Sequence, residues 1–180
     1  VLASDRKGKT PGVLWLENPG PKVTQAEPTR RWAAHRIGVD GKEAMFISIA
    51  KDKTIYAAAR PNQIYIIRPG NDVRQPWHSE TINFSPTKYG TSKAARAADL
   101  DGDGNPEIAV TCGLADGEKS GVFYLKHTGG KWIDYDIGGP AGIKFDRIEL
   151  LDLDGDGDLD LLTCEEREFN AVLWYENPHR

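Results

Sequence analysis

The sequence predicts an all-β fold assembled from a repeated four-stranded unit, and three observations carry that prediction. The first is self-similarity: residues 1–19, VLASDRKGKTPGVLWLENP, align without a gap on residues 160–178, DLLTCEEREFNAVLWYENP, at an offset of 159. The second is a pair of acidic loops, ADLDGDGNPE at 98–107 and LLDLDGDGDLD at 150–160, whose first matching aspartates are 53 residues apart, one third of that offset. The third is the pattern between these landmarks: short runs of strand formers bounded by Gly, Pro and Asn, with no sustained helical period. Four-stranded units recurring every ~40 to 55 residues are the signature of β-propeller blades.

Taken in order, residues 1–40 supply a partial blade with strands expected at 2–4, 13–17 and 32–37. Residues 41–85 supply a blade without an acidic loop, its strands at 44–50, 54–59, 63–67 and 77–82. Residues 86–140 form a blade with such a loop, its strands at 92–100, 107–112, 122–126 and 132–137. Residues 141–180 give a second partial blade, with its loop and strands at 144–153, 160–164 and 172–176. Turn residues punctuate the joins, as at Asn18-Pro19-Gly20, Pro69-Gly70 and Gly129-Gly130. Aromatics recur on the third strand (Trp15, Tyr65, Tyr124, Trp174) and at the start of the fourth (Trp32, Trp77, Trp132), which points to packing between blades before sugar stacking. The grouping is three, four, four and three strands. Both partial ends already own second and third strands, so they cannot merge into one blade. The expectation is therefore about three and a half blades of a larger ring of six to eight, with seven favoured.

Composition sets bounds on function. A hydrophobic fraction of 39% with 28% charged residues is that of an ordinary soluble globular chain. No apolar run approaches the ~18 residues of a membrane span. The net charge of −4 hides an asymmetry: the two loops hold nine acidic residues, so the remainder is at +5, and two calcium ions would neutralise the whole. Nothing in that balance calls for nucleic acid. Cys112 and Cys164 lie in corresponding strands one residue out of phase; cysteines on neighbouring strands could pair, but small buried free thiols are the expectation. The chain begins at Val1 without a leader pattern, so its start is expected to lie upstream.

The acidic loops carry the chemistry. Each sets side-chain oxygens at positions 1, 3, 5 and 9: Asp99, Asp101, Asp103 and Glu107 in one, Asp152, Asp154, Asp156 and Asp160 in the other. The carbonyl at position 7 belongs to Asn105 or Asp158. Calcium takes six to eight oxygens and tolerates uneven geometry, so this pattern supplies most of a shell. Without a cation the carboxylates would repel one another. An EF-hand is the competing arrangement, but position 12 is Val110 or Thr163 where a bidentate Glu is needed, and strand formers follow. The corresponding join at 50–54 keeps only Asp52 and adds two lysines, so no cage is expected there.

These residues, AADLDGDGNPEIAV at 97–110, LLDLDGDGDLDLL at 150–162 and the VLWLENP and VLWYENP strands, resemble the FG-GAP and VCBS repeat family of β-propellers over essentially the whole chain. The resemblance implies two structural calcium sites, Asp99, Asp101, Asp103, Asn105 (carbonyl) and Glu107, and Asp152, Asp154, Asp156, Asp158 (carbonyl) and Asp160. Glu107 departs from the family's Asp, which lengthens that ligand and loosens the site. The literal Phe-Gly/Gly-Ala-Pro sequence is absent, which favours the VCBS type over that of integrin α-subunits.

The resemblance further implies an extracellular, periplasmic or cell-surface binding, adhesion or scaffold module, with a carbohydrate or protein ligand and the remaining blades as partners. The 113–121 loop is longer than its counterparts and is one place for a ligand. The alternative is part of a carbohydrate-active enzyme of polysaccharide lyase or sugar dehydratase type. A calcium-regulated device is a third reading. Against catalysis, His35, His78, His127 and His179 share no position in the repeat, and no nucleophile elbow, phosphate loop or zinc pattern occurs.

Overall fold

A computed structural model describes residues 1–178. Fourteen strands fall into four antiparallel sheets, and in each sheet the neighbours in space are the neighbours in sequence. The first sheet holds β1 (Leu2–Asp5), β2 (Gly12–Glu17) and β3 (Ala33–Gly38). A helix, α1 (Pro21–Ala26), bridges β2 and β3; it buries no residue and starts on Pro21, whose fixed φ suits a first helical turn. The second sheet holds β4 (Ala44–Ile49), β5 (Ile55–Ala59), β6 (Gln63–Arg68) and β7 (His78–Asn83). The third holds β8 (Thr91–Ala98), β9 (Glu107–Gly113), β10 (Val122–Thr128) and β11 (Lys131–Asp136). The fourth holds β12 (Phe145–Leu151), β13 (Asp160–Glu165) and β14 (Ala171–Tyr175).

The grouping of three, four, four and three strands is the one expected from the repeat. Two expectations need correction. No helix was expected, and α1 is too short for a 3.6-residue pattern to register. The inner strands were expected to reach 100 and 153, but β8 stops at Ala98 and β12 at Leu151, because Asp99 and Asp152 turn the chain by accepting the N–H groups of Gly102 and Gly155.

Three cores hold the sheets together, each between one sheet and the next. Val13 and Ile37 meet Ile55, Ala57 and Ile67 between the first two sheets. Ile64, Ile66 and Ile82 meet Ile108, Val110 and Phe123 between the second and third. Ala94, Ala109 and Val122 meet Phe145, Ile148 and Leu161 between the third and fourth. The middle strands β5 and β9 are buried along their whole length, because alternate side chains feed the cores on both faces. The inner edges are also stitched by polar contacts: Ser4 Oγ of β1, the second strand of its unit, donates to Met45 O (3.1 Å), and between inner strands Ser48 Oγ donates to Ala95 O (2.7 Å) and Arg96 to Ile148 O (3.3 Å). One donor thus links each inner edge to the next.

The recurring aromatics do not all face the same way. Trp15 packs into the core toward the second sheet, and Tyr124, opposite Ala109, lies on the face turned toward the fourth. Tyr65 instead pairs with Ala57 and faces back toward the first sheet, so Ile66 holds the place that the other units give to an aromatic. Of the outer tryptophans, Trp77 and Trp132 pack between sheets. Trp77 covers the first core, and Trp132 covers the second while its Nε1 donates to Glu80 of β7 (3.0 Å). Both cysteines are free; Cys112 is buried in the second core, where burial pushes its thiol up, and Cys164 is half-buried.

Candidate metal centre

The two acidic loops close equivalent hairpins, β8–β9 and β12–β13, and their carboxylates make matching backbone bonds. Position 1 accepts the N–H three residues on: Asp99 from Gly102 (2.8 Å), Asp152 from Gly155 (2.7 Å). Position 3 accepts two residues on: Asp101 from Asp103 (3.3 Å), Asp154 from Asp156 (3.2 Å). Position 5 does the same: Asp103 from Asn105 (2.8 Å), Asp156 from Asp158 (3.0 Å). Position 9 reaches back across the loop: Glu107 to the N–H of Leu100 (2.9 Å), Asp160 to that of Leu153 (3.1 Å). Four left-handed glycines make the path possible, Gly102 and Gly104 at φ 74° and 86°, Gly155 and Gly157 at 83° and 97°.

With these bonds made, oxygens of three carboxylates converge in each loop. Asp99, Asp101 and Glu107 each place one within 4.8 Å of the others, as do Asp152, Asp154 and Asp156. Three mutually close carboxylates on a glycine-rich turn are a donor set for a hard cation. Two expected ligands stand outside these groups, Asp103 in the first loop and Asp160 in the second. Asp160 is buried and spends its oxygens on the N–H groups of Leu153 and Asn177 (2.8 Å for the latter). Of the position-7 residues, Asn105 is exposed and its amide donates to Asp103 (3.0 Å), whereas Asp158 is buried.

The first loop differs from the second in one partner that sequence reasoning missed. Lys126 of β10 donates to Asp101 and Asp103 and lies 3.6 Å from Glu107. Its ammonium, with the N–H of Asn105, holds the Asp103 carboxyl down at about 2, and the same carboxylates hold Lys126 above the usual lysine range. In the corresponding join of the second sheet the single carboxylate, Asp52, accepts from Thr54 N (3.0 Å) and Oγ1 (2.8 Å), and Lys53 adopts the left-handed φ of 71°.

A second carboxylate hub was also missed. Glu165, 1% exposed at the end of β13, accepts five backbone N–H groups, from Ile143, Lys144 and Arg167 at one oxygen and from Glu168 and Phe169 at the other. Burial pushes its carboxyl up, and the N–H groups outweigh it and pull it down to about 2. The only sequence signal is an acid at the end of an apolar strand.

The described histidines stay apart. His35 stacks on Trp15 (4.9 Å between centroids) and pairs with Glu17 (2.9 Å), which Arg74 also clamps. His127 lies beside Trp132, His78 is exposed on β7, and His179 is outside the described residues. The 113–121 loop is tied on both sides, by Ala115 N to Ile143 O (3.0 Å) and Ser120 N to Lys88 O (2.9 Å). A cleft of about 830 Å³ lies between the third and fourth sheets, lined by Tyr124, Tyr135 and Tyr175 with Asp101, Asp136 and Glu176. Tyr124 and Tyr135 stack in it at 5.0 Å.

No family model, no curated protein and no solved structure matches this chain. Among the described residues, no helix is long and apolar enough to cross a membrane.

Proposed function

We propose that this chain is a segment of a calcium-stabilised β-propeller of the FG-GAP and VCBS repeat type, serving as a binding or scaffold module outside the cytosol. The observation that carries the reading is the pair of twin loops: corresponding carboxylates accept corresponding N–H groups, and each loop gathers three carboxylate oxygens for a cation. The four meander sheets, packed in sequence through three cores and linked along their inner edges, support the propeller arrangement. Calcium suits the site better than magnesium, which demands near-ideal octahedral geometry. The metal's role is structural, pinning a hairpin whose acids otherwise repel. Millimolar calcium outside the cell suits loops of modest affinity.

The surface best suited to a ligand is the tyrosine-lined cleft, where aromatic faces and carboxylates together match the chemistry of a saccharide. Melting with and without EGTA tests the calcium reading; loss of several degrees on chelation is expected, and an unchanged midpoint overturns it. A glycan array tests the ligand, with binding lost in Tyr135→Ala as the expected result and silence across the array as the contrary one.

A further inference from the structure

The two acidic loops share a backbone and differ in what faces their carboxylates. We infer that Lys126 is a built-in occupant of the first loop, so that calcium fills the second loop at much lower concentration; this rests on the calcium reading above. Lys126 stands two residues beyond Tyr124; at the same place beyond Trp15 and Trp174 the chain carries Glu17 and Glu176, and beyond Ile66 it carries Arg68. The first and fourth units thus put an acid here, and the second and third a base. Its ammonium contacts Asp101, Asp103 (2.8 Å) and Glu107 (3.6 Å), and Asp101 and Glu107 are two of the three carboxylates that converge in that loop.

A divalent cation entering the first loop must displace this ammonium or lie against it. Displacement gives up ion pairs already made, and coexistence sets like charges side by side. Because the ammonium is tethered to the neighbouring strand, it returns at high effective concentration whenever it leaves. Among the described residues, no lysine or arginine pairs with Asp152, Asp154 or Asp156, the three carboxylates that converge in the second loop. One hairpin thus carries a tethered ammonium among its carboxylates, and in the other Asp152, Asp154 and Asp156 converge without one among the described residues.

Calorimetric titration of the full chain with calcium chloride tests this. The wild type should show one tight site, lost in Asp154→Asn, and a weak second one. Lys126→Met and Lys126→Gln should tighten the weak site by at least about tenfold while leaving the first unchanged. Asp154→Asn with Lys126 intact reads the first loop alone, so the inference stands or falls even if the lysine variants do not fold. Two equal sites in the wild type, or an unaltered titration in both lysine variants, would overturn the role of Lys126 alone. Absence of calcium binding in every protein would overturn the calcium reading and this inference with it.

Discussion

Single carboxylates do unusual work in this chain, and Glu165 is the clearest case. It anchors the 166–169 turn and the approach to β12 through five N–H groups. Replacing it with Gln removes the charge and leaves several donors poorly matched, at a cost of about 3 kcal/mol, measurable by urea unfolding. The pH dependence has a definite sign. The folded carboxyl sits at about 2 against its ordinary 4.5, so its contribution is complete above 4.5 and drains away as pH falls toward 2. Glu165→Gln should flatten that acid limb of the stability profile. An unchanged slope between pH 5 and pH 2 would show that the hub carries no such weight. None of this was legible in the sequence, where an acid after an apolar strand reads as an exposed loop residue. Lys126 was hidden for a related reason: it lies 23 residues from Asp103 in the chain, and strand pairing brings the two together.

Elements were the most legible scale. The 53-residue spacing, the turn residues and the apolar runs located all fourteen strands, because each strand's burial leaves its mark on consecutive or alternate residues. What failed was finer. The direction of Tyr65 depends on a one-residue register, since Ala57, and not its neighbour, stands opposite it. Of the candidate ligands, the alternating aspartates announced a common turn, but which three converge depends on reach: Glu107 enters its group, and the shorter Asp160 is spent on backbone donors. Packing between elements also yields a test. A Cβ on Gly121 would come within 2.1 Å of the Phe145 ring, which is fully buried in the third core. Gly121→Ala should therefore destabilise the protein by about 1–3 kcal/mol, and Phe145→Leu in the same chain should recover part of the loss. If the double variant is no more stable than the sum of the singles, the clash is not the cause.

At the scale of the whole molecule, calcium should act as a ligand of the folded state. Each loop held at a hundred times its dissociation constant adds about 2.7 kcal/mol, and for a chain of this size that is ~5 to 10 degrees of melting temperature. Asp154→Asn should abolish most of the difference between calcium and EGTA, because it empties the loop that lacks a lysine. The same variant should leave the Asp52 turn untouched. A chelation effect that survives Asp154→Asn in full would place the tight site elsewhere.

The three separate cores have a further consequence. Each sheet draws its support from the sheets beside it, so the molecule behaves as a short one-dimensional array in which stability is a sum of unit and neighbour terms. Within the described residues the second and third sheets are gripped on both faces and the first and fourth on one. Amide exchange should then run as a gradient along the chain, fastest in β1–β3 and β12–β14 and slowest in β5 and β9. Opening begins at the flanks and travels inward, one interface at a time.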